Sequence, residues 1–205
     1  MTTRKLAVVS AGLSQPSSTR LLADRLMQAT TAGLEERGIQ AETTVIELRD
    51  HAQDVTNNLL TGYASPRLET AIEAVTGSDG LIAVTPIFTT SYSGLFKSFI
   101  DVLDPDSLDG LPVLLGATGG TERHSLAIDY AMRPLFTYLH AVPVTTGVYA
   151  ASSDWGSAEG GLADRIGRAS AEFVELVAAS ERSQRVRDPF ALPDGFSPVG
   201  GFGSQ

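Results

Sequence analysis

The 205-residue chain contains no cysteine, and this absence excludes several kinds of chemistry. Without thiols the protein has no disulfide, no thiolate metal site and no cysteine nucleophile. Histidine is scarce as well, with three in the chain. Neither His51 nor His140 has a partner at metal-ligand spacing. We therefore expect no metal site, and structural roles for these two histidines.

Long apolar runs and an excess of positive charge are also missing. No stretch approaches the roughly 20 apolar residues that a membrane-spanning helix needs, and the apolar run after Arg4 and Lys5 is too short for a signal peptide. The net charge is −9, so the field of the whole protein opposes nonspecific binding to nucleic acid or to an anionic membrane surface. These features predict a cytoplasmic protein whose partners are small ligands and other proteins.

The most informative stretch of the chain is residues 81–101, LIAVTPIFTTSYSGLFKSFID. Residues 81–84 form the short apolar run of a buried parallel strand, and residues 94–103 carry apolar side chains on one helical face. Between them lies TPIFTTSYS, which is too rich in proline, threonine and serine for either element. A loop that follows an interior strand emerges at the carboxyl edge of the sheet, where open α/β sheets bind ligands.

The apolar pattern of the whole chain predicts an α/β domain. Strands are predicted at 6–9, 41–48, 81–84, 112–116 and 142–149, with the second at an edge. Helices are predicted from Ser17 or Ser18 to about residue 37, from Pro66, at 94–103, at 123–139 with a kink at Pro134, and from Leu162. Residues 49–65 predict a long loop with one helical turn. Five strands that alternate with helices predict three layers around a parallel sheet, with a Rossmann-like or a flavodoxin-like strand order.

The loop after the first strand helps to choose between the two strand orders. A Rossmann dinucleotide site needs G-x-G-x-x-G at this position, whereas SAGLSQPSST has one glycine and five hydroxyl side chains. Hydroxyls donate to phosphate oxygens, and the start of a helix adds free N–H groups and a positive dipole end. The loop therefore favours a terminal monophosphate. The simpler interpretation is that Ser17 or Ser18 only caps the helix.

Two further loops strengthen the phosphate interpretation. In a flavodoxin-like 2-1-3-4-5 sheet, the loops after strands one, three and four converge on one edge. The second loop offers Pro86, Ile87 and Phe88 as a flat apolar lip, and the third offers backbone amides from Gly119 and Gly120. Together the three loops predict a site for a planar ring with a phosphate tail.

Three segments in this order, VVSAGLSQPSSTR, TPIFTTSYSGLFKSFID and GATGGTERHS, resemble the NADPH-dependent FMN reductases of the flavodoxin-like superfamily. The resemblance covers roughly residues 4–180. The SSDWG segment at 152–156 makes the chain most similar to the reductases that are partnered with luciferase-like monooxygenases. Many relatives have Glu-Tyr-Asn where this chain has Ile87, Phe88 and Thr89.

The resemblance implies an enzyme that transfers a hydride from NADPH or NADH to FMN, without a catalytic acid, base or metal. By the same resemblance, the FMN phosphate binds to Ser10, Ser17, Ser18 and Thr19. The isoalloxazine is lined by Pro86, Ile87 and Phe88, and its pyrimidine end meets backbone N–H groups of Thr118, Gly119 and Gly120. The protein is expected to be a homodimer or homotetramer that supplies reduced flavin to a monooxygenase.

Other functions share much of this pattern and stay open at this point. An FMN-containing quinone or azo reductase differs only in its electron acceptor. An electron-carrying flavodoxin is expected to show a T/S-x-T-G-x-T loop, which is absent. A non-enzymatic ligand-binding or scaffold protein would fail to retain or reduce flavin.

Several charged and aromatic residues near the predicted site have two interpretations each. Arg20 either supports the phosphate or starts the helix, and Arg123 and His124 either contact NADPH phosphates or lie at the surface. Asp154 and Trp155 either cover the flavin of a second subunit or anchor their own loop. Lys97 and Asp101, four residues apart, predict an ion pair. We expect a flavodoxin-like domain at 1–183 and a Pro/Gly-rich tail at 184–205 that is poorly ordered or lies across a neighbouring subunit.

Overall fold

A computed structural model describes residues 2–156, 161–180 and 182, so the predicted tail lies outside the described residues. The strands are β1 (Thr2–Ser10), β2 (Ile39–Glu47), β3 (Gly80–Phe88), β4 (Ser91–Tyr92), β5 (Pro112–Gly119), β6 (Val142–Pro143) and β7 (Val148–Ala151). The α-helices are α1 (Ser18–Glu35), α2 (Ala52–Thr61), α3 (Pro66–Thr76), α4 (Gly94–Asp101), α5 (Arg133–Tyr138) and α6 (Leu162–Ala179). None of the described helices is both long and apolar enough to cross a membrane.

The strand order confirms the flavodoxin-like prediction. The sheet runs β2-β1-β3-β5, and both β6 and β7 pair with β5. All of these pairs are parallel, while β4 folds back on the end of β3 as an antiparallel hairpin. Counting β6 and β7 as one interrupted strand gives the predicted order 2-1-3-4-5, which brings the ends of β1, β3 and β5 to one edge.

The predicted fifth strand at 142–149 is wrong as a continuous element. Residues 144–147 separate β6 from β7 because Thr146 is bound to α6 instead of to β5. The backbone N–H and the hydroxyl of Thr146 donate to the Glu172 carboxylate at 2.8 and 2.5 Å. The bond from the hydroxyl, acting against burial, lowers the pKa of Glu172.

The sheet separates two apolar cores. Along β3, Leu81 and Ala83 belong to one core and Ile82 and Val84 to the other. This alternation is what a strand buried on both faces requires. The first core holds the phenylalanines of α4 and α5, and the second is filled mainly by α1 and α6.

The long loop predicted at 49–65 is mostly helical. A 3₁₀ segment, Leu48–His51, leads into the ten-residue helix α2. The helix ends at Gly62, whose φ of 74° is favourable for glycine. Val55 and Leu59 lie at helical spacing, but Val55 is the only buried residue of the helix and Leu59 is 48% exposed, so α2 adds little to the core.

The helix predicted at 123–139 is also wrong in form. The segment contains a 3₁₀ turn, Glu122–His124, and a π-helical turn, Ile128–Met132, before α5 begins. The π turn changes which side chains face the core. Leu126 and Tyr130, which the helical pattern places inward, are 62% and 79% exposed. Pro134 lies in the first turn of α5, where proline is tolerated.

Candidate functional site

The loop after β1 leaves one buried hydroxyl without a partner. Ser10 ends the strand with 1% of its surface exposed, and its Oγ has no hydrogen-bond partner among the described residues. The next residue, Ala11, donates its N–H to the Val84 carbonyl at 2.9 Å, which holds the start of the loop against β3. A buried hydroxyl without a partner is costly unless a ligand supplies one.

Gly12 and Ser17 shape the same loop into a tight cradle. A Cβ on Gly12 would lie 2.0 Å from Ser17 Oγ and 3.1 Å from Ser17 Cβ, so a larger residue here would displace the Ser17 side chain. Ser17 caps α1 because its Oγ accepts the Arg20 N–H at 3.2 Å. As that oxygen accepts, its own proton stays available for another acceptor. The first turn of the 18-residue helix contains no carboxylate, so nothing there competes with an anion for the free N–H groups.

A hydroxyl pair joins the first loop to the third. Thr19 Oγ1 and Thr118 Oγ1 lie 2.8 Å apart, and both residues are 3% exposed. The predicted phosphate ligand Thr19 therefore already has a partner, although a hydroxyl can make further bonds. Ser18, by contrast, is exposed. The pair fixes the start of α1 against the end of β5.

Arg20 is held by carboxylates and leaves the cradle to neutral donors. Its Nε contacts Asp24 at 2.8 Å and its Nη1 contacts Glu47 at 2.6 Å. The hydrogen bond with Asp24, aided by Glu47, raises the pKa of the Arg20 guanidinium. Because Arg20 is paired with Asp24 and with Glu47, which it shares with Arg49, an anion in the cradle depends chiefly on hydroxyls and backbone N–H groups.

Arg49 supports the loop, although no local motif marks it as a site residue. Its Nη1 donates to the Ser14 carbonyl at 3.5 Å, and its Nε lies 3.3 Å from Glu47. Arg49 follows β2, the strand next to β1. A residue at the carboxyl end of this neighbouring strand could have been expected near the loop after β1. Its long side chain reaches Ser14 only because β1 and β2 are adjacent.

The second loop is closed by its own hydroxyls and exposes one aromatic ring. Ser93 donates its N–H to Thr85 Oγ1 at 3.1 Å and caps α4 by accepting the Phe96 N–H at 3.2 Å. Pro86 and Ile87 are buried, while Phe88 is half exposed. The side chain that this loop presents to a ligand is therefore chiefly that of Phe88.

The hairpin that carries Phe88 is strained at its tip. Thr89 and Thr90 connect β3 to β4 with φ values of 48° and 70°. Two-residue hairpin loops of this kind normally carry Asn-Gly, because β-branched residues are unfavourable at positive φ. Strain of this sort collects at functional sites.

We predict that the double variant Thr89→Asn/Thr90→Gly is more stable than the parent protein by about 1 kcal/mol, because it removes this strain. Thermal unfolding should show a Tm higher by about 2–4 °C. The control is Thr145→Gly, at a residue that is not among those with positive φ, and it should lower the Tm. Equal changes in Tm for the two variants would show that backbone strain at Thr89 and Thr90 does not lower the stability.

Tyr149 positions the third loop. A Cβ on Gly119 would lie 2.0 Å from the Tyr149 hydroxyl, which donates to the Thr121 carbonyl at 2.7 Å. Burial, aided by Glu122 and Asp154, raises the pKa of Tyr149, so the phenol stays protonated and able to donate. The Tyr149 side chain therefore lies against Gly119, while Gly120 is exposed at the edge of the sheet.

Two pairs of the predicted residues have defined structural roles. Lys97 and Asp101 form the predicted ion pair at 2.5 Å.

Trp155 packs against the α1/α6 core beneath Arg25, whose Cζ lies 5.1 Å from the ring centroid. Burial alone would raise the pKa of Asp154, but the Ala151 N–H and Arg165 outweigh it and lower that pKa. The anchoring interpretation is confirmed, and contact with a second subunit stays a prediction.

Comparison with known protein families identifies the family of this chain. The profile of the family described as NADPH-dependent FMN reductase matches residues 4–156. The chain belongs to this family. It is therefore an oxidoreductase that works with FMN and nicotinamide nucleotides.

Related proteins agree with membership of the FMN reductase family. The chain is 37% identical over 151 residues to the FMN reductase (NADPH) of Pseudomonas aeruginosa, covering 74% of this chain and 78% of the relative. It is 36% identical over 151 residues to the NADH-dependent FMN reductase SfnF of Pseudomonas fluorescens, with the same coverage. A solved oxidoreductase from Corynebacterium diphtheriae is 46% identical with a TM-score of 0.84, covering 87% of this chain and 98% of that one.

The residues at the edge of this FMN reductase fit an FMN phosphate. Ser10 contributes a buried hydroxyl that lacks a partner, and Gly12 leaves space that a Cβ would close. Among the described residues no group of three or more His, Asp or Glu side chains is placed to hold a metal ion.

Proposed function

We propose that the protein is an NAD(P)H-dependent FMN reductase that binds FMN at the carboxyl ends of β1, β3 and β5. The proposal rests above all on the buried, unpartnered Ser10 hydroxyl beside the Gly12–Ser17 cradle. The phosphate is bound by Ser10, Ser17, Ser18 and Thr19 and by the free N–H groups of α1.

The remaining predicted residues surround the ring. The isoalloxazine lies against Pro86, Ile87 and Phe88, of which Phe88 has the most exposed side chain. Its pyrimidine end meets backbone N–H groups of Thr118, Gly119 and Gly120, in the loop that Tyr149 holds. Bound FMN supplies the hydride-accepting centre, and the protein contributes orientation, stacking and hydrogen bonds.

The phosphate cradle can be tested by comparing FMN with riboflavin, which has the same ring and no phosphate. We expect FMN to bind at least about 100-fold more tightly, because charge-assisted hydrogen bonds to several donors are lost with riboflavin. Isothermal titration of the flavin-free protein measures both dissociation constants. Equal affinities would show that the loop after β1 does not bind the phosphate.

We further propose that the reduced flavin serves a flavin-dependent monooxygenase, which the similarity of the SSDWG segment supports. In that role FMN is released after reduction, so the rate of nucleotide oxidation should saturate with added FMN. A quinone or azo reductase would instead oxidise nucleotide at stoichiometric FMN once its acceptor is added. Steady-state rates with varied FMN, and with varied quinone at fixed FMN, separate the two.

We also propose that the protein is a homodimer or homotetramer. Leu60, Tyr63 and Tyr138 are each at least 78% exposed, and large exposed apolar side chains are common at subunit interfaces. Sedimentation equilibrium at micromolar concentration gives the mass directly. A monomeric mass would contradict this proposal without affecting the flavin site.

The domain is proposed to end at residue 183, with residues 184–205 as a tail. Arg182 donates to the Ser107 carbonyl at 2.8 Å, which ties the end of the described chain to the domain. We predict that a protein ending at residue 183 unfolds within about 2 °C of the full chain, because this contact is retained. A protein ending at residue 179 is the control and should be less stable. A large loss in the first truncation would show that the tail belongs to the folded domain.

A further inference from the structure

Two cavities flank the segment that follows β5, and their linings differ in charge. One of ≈ 500 Å³ is lined by the carboxylates of Glu122, Asp129 and Asp154 and by Arg165, which is already paired with Asp154 at 2.8 Å. The other, of ≈ 440 Å³, is lined by Arg123 and His124 and has no carboxylate among its lining residues. The lining of the second cavity therefore favours an anion more than the lining of the first.

The second cavity, which we call the Arg123 cavity, adjoins the flavin loop. Thr90 and Ser91 form one of its walls, and Ser91 is the partner of Phe88 across the β3–β4 hairpin. A ligand in the Arg123 cavity thus lies against the hairpin that carries Phe88, the aromatic residue proposed to line the isoalloxazine.

Arg123 itself is available to a ligand. Within residues 2–156, 161–180 and 182 it forms no ion pair, unlike Arg165 in the neighbouring cavity, which contacts Asp154. Glu122, its neighbour in sequence, lines the other cavity. The chain has a net charge of −9, so the positive charge of an exposed arginine beside a cavity without carboxylates is opposite in sign to the charge of the whole protein. The planar guanidinium fork matches phosphate oxygens.

We propose that Arg123 and His124 bind a phosphate group of the nicotinamide dinucleotide in the Arg123 cavity. The inference rests on the proposed function, because it names where the second substrate of that reaction is held. Anchoring the phosphate beside Phe88 positions the nicotinamide near the flavin ring and limits its motion. The 2′-phosphate of NADPH and the pyrophosphate common to NADPH and NADH share this chemistry.

The test uses Arg123→Gln, which removes the charge and keeps a polar side chain. Binding of 2′,5′-ADP and of 5′-ADP to the FMN-saturated protein is measured by titration calorimetry. We expect the affinity of at least one probe to fall by about 10- to 100-fold, while FMN affinity is unchanged. Arg123→Lys should recover part of the loss, since it restores charge without the fork. Arg67→Gln on α3 removes the same charge from a residue outside the cavity and should bind as the parent does.

The two phosphates are then distinguished by kinetics. A rise in KM confined to NADPH assigns the 2′-phosphate to Arg123, and an equal rise for NADPH and NADH assigns the pyrophosphate. If the double variant Arg123→Gln/His124→Gln binds both probes and both nucleotides as the parent does, the inference is wrong and the proposed function stands. If the parent protein itself oxidises neither nucleotide in the presence of FMN, the proposed function fails and the inference fails with it.

Discussion

Replacing Ser17 with aspartate is expected to abolish FMN binding, whereas asparagine at the same position leaves most of it. Both side chains are good N-caps, so both can accept the Arg20 N–H as Ser17 does at 3.2 Å. They have nearly the same size, so any crowding against Gly12 is common to both. The aspartate alone places a negative charge in the cradle. Since a like charge facing a bound group costs several kcal/mol, the FMN dissociation constant should rise at least about 100-fold relative to Ser17→Asn.

Flavin titration and thermal unfolding together measure this effect. The two variants should unfold within about 2 °C of each other, because the cap is kept in both. Riboflavin affinity should be the same in both, because riboflavin carries no charge at that position. If Ser17→Asp binds FMN as tightly as Ser17→Asn, the phosphate does not lie at the start of α1.

Replacing Arg4 with methionine is expected to cause a large loss of stability without touching the flavin site. Arg4 is 6% exposed, and its Nε and Nη2 donate to the Val177 and Ala178 carbonyls at 3.0 and 2.9 Å. These carbonyls end α6, where a cation also interacts favourably with the helix dipole. Methionine fills similar space but removes a donor from both carbonyls, and Val177 then keeps only the Ser180 N–H at 3.1 Å. The buried Nη1 has no partner, which limits the net effect, and we expect the free energy of unfolding to fall by about 2–4 kcal/mol.

Urea unfolding of Arg4→Met measures the loss as a lower midpoint with an unchanged slope. The control is Arg37→Met, because Arg37 pairs with Glu175 across two exposed side chains. Exposed ion pairs contribute little, so this variant should unfold close to the parent. FMN affinity should be unchanged in both. Equal midpoints for the two variants would contradict the role of Arg4 at the end of α6.

The elements that the sequence predicts well are those in which local and long-range signals agree. At the start of α3, Ser65 accepts the Leu68 N–H at 3.2 Å and Pro66 takes the first turn, as helix-start residues do. Along 81–101 the apolar run and the helix match β3 and α4, but residues 85–88, predicted as loop, continue β3 because its ladder with β5 extends to Pro86. The site could be located because parallel strands bring the ends of β1, β3 and β5 to one edge.

The features that the sequence does not reveal depend on contacts between distant residues. Nothing local shows that Thr146 binds Glu172 and thereby splits the last strand, or that Tyr149 holds the Gly119 loop through Thr121. The helix α2 consists mostly of polar residues and buries only Val55, so its segment resembles an exposed loop. The π turn Ile128–Met132 inserts an extra residue into the helical pattern, so Tyr130, which regular helical spacing places inside, is exposed.

The most direct test of the flavin reductase is the oxidation of NADPH or NADH, followed at 340 nm with protein stripped of flavin. Oxidation that requires added FMN is the predicted result, and it should be lost in Ser17→Asp at FMN concentrations that saturate Ser17→Asn. If the protein binds FMN but oxidises neither nucleotide, the reductase activity is contradicted and the protein is better explained as an electron carrier. If it does not bind FMN, the proposed flavin site is wrong.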